Sequence, residues 1–306
     1  MAQAGAPGGK ATAGLDAKTR DMLSTQVALD RAGFSPGAID GSGGANTDRA
    51  LTAYRQAKNG APAPTEPLST YTITAEDAAG PFVAKIPADM MEKSKLSALG
   101  YSSMQELLAE RFHASPKLLQ RLNPQAKWTQ GDVITVPNVE PFMAPGSKTA
   151  KPAAAATAKP AAGATAKPAT AGNVVVVDDK SKSLIVQTAG GEVIFHAPVT
   201  TGSQNDPLPV GEWKVNGVSA NPTFNYNPKL FWDGDPTHAK AKIPAGPNNP
   251  VGVVWIDLSK EHYGIHGTPE PTRIGYTESH GCIRLTNWDA MRVAALVGPG
   301  TKVILK

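Results

Sequence analysis

Asn173-Val-Val-Val-Val-Asp-Asp-Lys-Ser-Lys-Ser-Leu-Ile-Val-Gln-Thr-Ala-Gly-Gly-Glu-Val-Ile-Phe195 sets three short apolar runs between turns rich in Asp, Ser and Gly. Runs of three or four β-branched or aromatic residues bounded in this way predict strands. The same pattern continues at 211–215, 251–258 and 301–305, with one helix predicted over 287–296. A mainly β domain, a β-sandwich or distorted barrel, is therefore expected over 173–306.

Within that domain lie Tyr263-Gly-Ile-His-Gly-Thr268 and Ser279-His-Gly-Cys-Ile-Arg-Leu285. Cys282 is the chain's single cysteine, which excludes an intrachain disulfide and leaves any thiol chemistry to this residue. A thiol becomes a strong nucleophile when an imidazole takes its proton. Two imidazoles are candidates: His280, two residues away in a Gly-containing turn, and His266, at the end of an apolar strand and reachable only through folding. Gly281 has no Cβ, so the backbone can bend until the amides of Gly281 and Cys282 point at one developing oxyanion. A competing reading makes His262, His266, His280 and Cys282 zinc ligands. The text around His262 is poorly suited to a helix, and the Glu of the His-Glu-x-x-His pattern is missing.

These two segments resemble the YkuD-type L,D-transpeptidase motif, together with Ile274-Gly275 and the Asn249-Pro-Val-Gly252 approach to Trp255. The resemblance implies a Cys282 nucleophile, His266 as its general base and His280 at the motif position beside the oxyanion hole. It places Gly281, Ser279, Gly267 and Arg284 in the oxyanion site or its support, with Arg284 bracing the loop and a backbone carbonyl orienting His266. Tyr263, Thr268 and Arg273 are expected to meet the donor peptide, Arg273 through a substrate carboxylate. Phe224, Tyr226 and Trp232 are candidates for the groove or for packing, while His113, His196 and His238 are expected at surface or structural positions. The implied reaction attacks a peptidoglycan tetrapeptide after its diaminopimelate, passes through a thioester and needs no cofactor or metal. The acceptor is left open between diaminopimelate, a lipoprotein lysine, a free amino acid and water; water would make the protein an L,D-carboxypeptidase or hydrolase. A non-catalytic wall-binding protein is a further alternative. Carbapenems are expected to acylate Cys282.

Upstream, 144–172 repeats Thr-Ala-Lys-Pro and reads as an extended linker that would leave the preceding modules independent of the β domain. Residues 67–143 read as strand, helix, helix and strand. Ser103 with Glu106 suggests a capping box, and Ser115-Pro116 a helix start. This order resembles a LysM module, with an insertion around 78–100, and implies a glycan partner. Residues 15–66 predict a small helical module in which Thr47 caps a second helix and Leu51 and Tyr54 pack inward. Gln26-Val-Ala-Leu-Asp-Arg-Ala-Gly-Phe34, Ile39-Asp-Gly41 and Ala50-Leu-Thr-Ala-Tyr-Arg-Gln56 resemble a peptidoglycan-binding domain. Residues 1–14 are expected to be a flexible N-terminus.

The formal charge of +4 is accounted for by Lys148, Lys151, Lys159 and Lys167 in the linker. A nearly neutral remainder argues against a nucleic-acid surface. No apolar run approaches the roughly 20 residues that span a bilayer, so an integral membrane protein is not expected. The opening Met1-Ala-Gln-Ala-Gly-Ala-Pro-Gly-Gly has no signal-peptide pattern and reads as a mature sequence. A periplasmic or wall-associated location follows from the resemblances.

Overall fold

The computed structural model describes residues 15–145 and 172–306; the expected N-terminal segment 1–14 and linker residues 146–171 lie outside the described residues. Helix α1 (Ala17–Arg31) starts at Asp16, whose carboxylate accepts the Thr19 N–H. Helix α2 (Ala45–Lys58) starts at Gly44 without a side-chain cap. Thr47 therefore is not the cap: it is buried inside the first turn, where its hydroxyl accepts from Gln26 Nε2. Leu51 and Tyr54 pack on Leu29, Phe34 and Ala50, as the apolar spacing predicts.

Strands β1 (Leu68–Thr72) and β2 (Val133–Pro137) pair antiparallel. Between them run α3 (Ala75–Ala78), α4 (Met90–Ser94), α5 (Met104–Arg111) and α6 (Pro116–Leu122). Ser103 and Ser115 cap α5 and α6. The Glu106 carboxylate reaches Ser102 and not the Ser103 N–H, so only half of the expected box forms there. A complete box occurs at Thr74 and Asp77.

The C-terminal region contains β3 (Val174–Asp178), β4 (Ser183–Gln187), β5 (Val193–Pro198), β6 (Gly211–Ala220), β7 (Phe224–Tyr226) and β8 (Ala241–Ile243). It continues with β9 (Val254–Leu258), β10 (Gly264–His266), β11 (Ile283–Arg284), α7 (Asn287–Leu296) and β12 (Lys302–Leu305). Eight strands form one mixed sheet in the order β11-β10-β9-β6-β12-β3-β4-β5, and β7 and β8 make a separate ribbon. Strand β6 bends at an irregularity between Val215 and Gly217, pairing with β12 before it and β9 after it. Thr200, just past β5, bridges Arg284 on the opposite edge, with N to O distances of 3.1 and 2.8 Å. The sheet thus meets itself, which matches the distorted-barrel expectation. Alternate residues such as Val175, Val177, Leu184 and Val186 point into the enclosed core, onto Trp288 and Val293 of α7. The expected strand 251–258 begins only at Val254. Asn249 Oδ1 accepts the Val251 N–H, and Gly252 turns the chain at φ +61°.

The front modules are not independent of the β domain, contrary to the reading of the linker. Phe34 bridges His196 on β5, with Ser35 N donating to His196 O at 2.8 Å and His196 N to Gly33 O at 2.9 Å. This covers part of an otherwise open sheet edge. Arg292 holds Asp30 through two bonds of 2.9 and 3.1 Å, and Ser35 Oγ donates to Asp289 at 2.8 Å. His113 stacks on Trp288 with ring centroids 5.0 Å apart. Burial raises the Asp30 carboxyl, but Arg292 and His113 outweigh it and hold the pKa below the usual range. Asp289, buried with less compensation, is raised to about 7.

Candidate active site

Strand β10 lies between β9 and β11, with Ile265 opposite Ile283 and His266 opposite Arg284. Both isoleucines are fully buried in the barrel core. Because side chains alternate across a sheet, His266, Cys282 and Arg284 share the opposite face. That face forms the floor of a cleft of about 1020 Å³, walled by Asp206, Tyr226, Trp255, His238, Tyr263, His280 and, from the front domain, Ala88, Asp89 and Met90. The volume suits an extended substrate.

His266 Nδ1 lies 2.7 Å from the Gly267 carbonyl oxygen. A carbonyl only accepts, so Nδ1 carries the proton and Nε2 of the neutral ring has a free lone pair. The ring stacks on its cross-strand partner Trp255, with centroids 5.5 Å apart and planes at 19°. Gly264 lies under the same indole: a Cβ there would come within 2.5 Å of it. Burial, then the nearby Arg284 charge, lowers the His266 pKa to about 3 despite the Gly267 bond. Burial raises the Cys282 thiol, and the Gly264 N–H and Arg284 only partly offset it. Burial thus favours the neutral form of both groups, and the Cys282 thiol itself faces the His262 carbonyl oxygen, 3.8 Å away.

Gly281 adopts φ +91°, and a Cβ there would meet the Tyr263 ring at 2.7 Å, so the turn requires glycine. The Gly281 and Cys282 N–H groups have no acceptor among the described residues. Ser279 pins the turn from below, its hydroxyl donating to the Cys282 carbonyl at 2.6 Å and its N–H to Thr201 O at 2.8 Å. Arg284 is tied to β10 on one side and to Thr200 on the other by its backbone, while its Nε is buried without a partner among the described residues.

His280 faces a different way. Its Nε2 lies 2.7 Å from Asp233, its ring contacts Phe231 and Trp232, and its Nδ1 is buried without a partner. Tyr263 lines the cleft, whereas Thr268 and Arg273 do not. Thr268 is buried and accepts from Glu270 N, and Arg273 pairs with Glu270 at 3.1 Å. His113 and His196 are buried structural residues. His238, expected to be surface or structural, is a cleft residue bound to Asp89 at 2.9 Å. Sequence reading missed Asp89, Asp206, Asp233, His238 and the cleft face of Trp255. None of the four polar residues sits in a repeating pattern, and Asp89 is 149 residues from His238. Among the described residues no group of three or more His, Cys, Asp or Glu has metal-holding geometry, and His262 and His266 span a turn and a strand instead of a helix face.

Residues 172–305 match the YkuD family, described as the L,D-transpeptidase catalytic domain. Among curated homologues of this family, YkuD of Bacillus licheniformis is 51% identical over 57 residues, covering 19% of this chain and 34% of its own length. YbiS of Escherichia coli K12 is 31% identical over 135 residues, covering 42% of this chain and 43% of its own. The chain thus spans well under two thirds of these relatives. An L,D-transpeptidase structure from Mycobacterium smegmatis aligns over 44% of this chain and 58% of its own, with TM-score 0.36 and 21% identity.

Proposed function

We propose that this chain, which carries an L,D-transpeptidase catalytic domain at 172–305, is an exported cell-wall enzyme acting on peptidoglycan stem peptides through a Cys282 thioester. The observation that carries the reading is the common face of β10 and β11, where Cys282 and an unprotonated His266 Nε2 open onto one cleft. Cys282 sulfur attacks the stem carbonyl as Nε2 accepts the thiol proton, giving a tetrahedral oxyanion. The N–H groups of Gly281 and Cys282 meet that oxyanion, and the Arg284 charge favours the anionic sulfur. Collapse breaks the C–N bond, and the imidazolium returns its proton to the departing amine. The resulting thioester is then opened by an acceptor amine, with His266 again taking and returning a proton. Among the described residues no helix is long and apolar enough to cross a membrane. The helical module at 15–66 and the LysM-like module at 67–143 are read as wall-contacting parts of the enzyme.

Incubation with purified disaccharide-tetrapeptide tests this directly. Cross-linked dimers or acceptor adducts, read by mass, support transfer; release of shortened peptide alone moves the reading to a carboxypeptidase, and no product with an intact Cys282 overturns it.

A further inference from the structure

The insertion at 78–100 reads in sequence as an interruption of a small module, yet it forms one wall of the cleft above Cys282. Ile86, Met90, Leu96 and Leu99 pack with Phe224, Tyr226, Phe231 and Ile243 in one apolar cluster. These partners belong to the flap 224–243, which contains the β7 and β8 ribbon. The backbone joins the insertion to the chain just past the flap, with Leu99 N donating to Ala245 O at 2.8 Å and Asn248 N to Leu99 O at 3.0 Å. Gly246, at φ +139°, comes so close that a Cβ would lie 2.1 Å from Leu99 O.

Polar groups fix the flap at two further points. On the insertion side, His238 Nε2 donates to Asp89 at 2.9 Å while the Tyr226 hydroxyl donates to His238 Nδ1 at 3.1 Å. A carboxylate accepts only, so this chain of bonds sets the ring's tautomer. On the motif side, His280 Nε2 donates to Asp233 at 2.7 Å. The flap is thus held between the loop that bears Cys282 and a segment of another domain.

We infer that the 78–100 insertion is a working part of the active site: through Asp89 and His238 it positions the flap over Cys282 and sets how large an acyl donor reaches the thiol. Asp89, His238 and Asp233 are positioning residues in this arrangement. The front domain therefore shapes donor selection within the cleft itself, apart from any contact it makes with the wall. The inference rests on the proposed reaction only for its kinetic consequence, because access to the thiol is measurable without turnover.

Asp89 also caps α4 by accepting Glu92 N. Asparagine keeps that cap, so Asp89→Asn removes mainly the charge facing His238. In the full chain, where Cys282 is the sole thiol, labelling is followed with iodoacetamide and with a bulky maleimide. Asp89→Asn is expected to speed the bulky reagent about two- to fivefold, the scale of one part-exposed hydrogen bond to a carboxylate, and to leave the small one unchanged. Asp89→Glu restores slow labelling, His238→Asn reproduces the effect from the flap side, and the double variant adds little. On soluble tetrapeptide, KM rises by a similar factor with kcat nearly constant. Lys95→Ala, in the same insertion but paired outward with Glu92, changes neither reading. Unaltered bulky-reagent labelling in both folded single variants overturns the inference, as do independent, multiplying effects in the double variant. If the unmodified protein turns over no tetrapeptide, the proposed reaction falls, and labelling alone decides the clamp.

Discussion

Two histidines flank Cys282, and their surroundings are opposite. His266 is 3% exposed, its Nδ1 fixed on a backbone carbonyl and its ring stacked on Trp255. His280 lies on the turn itself, and its ring is committed to Asp233 and the aromatic residues of the flap. Sequence proximity favours His280, which is two residues from the thiol; strand pairing favours His266, which is sixteen residues away. The difference teaches that the imidazole sharing the thiol's face, and so proposed as its base, is set by which strands pair.

The contrast breaks most simply at the nucleophile. Cys282→Ala should abolish product formation while the melting temperature stays within a few degrees, because the thiol lies at the cleft floor and not in the barrel core. Substantial residual turnover would remove the basis for comparing the two imidazoles at all. Next in size, His266→Ala should slow Cys282 acylation by a carbapenem roughly 10²- to 10⁴-fold at neutral pH, the usual worth of a positioned base. Intact-protein mass spectrometry reads the rate. The deficit should shrink only in alkaline solution, above the ordinary thiol pKa of about 8.5, since burial raises this thiol further.

A third histidine sharpens the contrast. His113 is as buried as His266, but it joins Arg292 in holding Asp30. Asp30→Ala should lower unfolding free energy by roughly 2–4 kcal/mol in a denaturant titration. That is less than for a wholly buried pair, because Arg292 retains 27% side-chain exposure. An unchanged midpoint would mean that the interface contributes nothing to stability.

The smallest mutational effect is expected at His280: His280→Gln should reduce neutral-pH acylation about fivefold or less, through a looser flap. A loss equal to that of His266→Ala would exchange their roles. The pH profile offers a further discrimination. Because the folded His266 pKa is lowered to about 3, the ring stays an acceptor well below pH 6.5, and acylation should show no acid limb near that value. The sign for stability is the same: between about pH 3 and 6.5 the unfolded chain binds more protons at this site, so its contribution rises with pH through that window. An acid limb at pH 6 to 7 that disappears in His266→Ala would contradict the buried, Arg284-flanked setting.

Most of the β domain was legible because its strands are short apolar runs between Gly, Asp and Ser turns. The runs at 174–177, 184–186 and 193–195 all became strands, and 287–296 became α7. The two-residue β11 gives no periodic signal, and 251–253 is apolar text that a side-chain bond from Asn249 folds into a turn. At the site, the segment around Gly281 and Cys282 was readable because a tight turn needs glycine and thiol chemistry needs cysteine. Asp89, Asp233 and His238 were not readable, since an isolated charged residue carries no period and its partner is chosen by distant folding.

The sequence by itself determined that this chain has one thiol, two imidazole candidates in the motif text around it, the apolar runs of a β domain to carry them and a repeat of Lys and Pro before that domain. Only the tertiary structure decided that His266 shares a face with Cys282, that His280 turns to the flap and that the front domain walls the cleft. The physical reason is one of range. Turn and strand preferences are local and written in adjacent residues, whereas a barrel closing at Thr200 and Arg284 and an interface joined at Asp30 and Arg292 depend on three-dimensional complementarity between segments up to 262 residues apart.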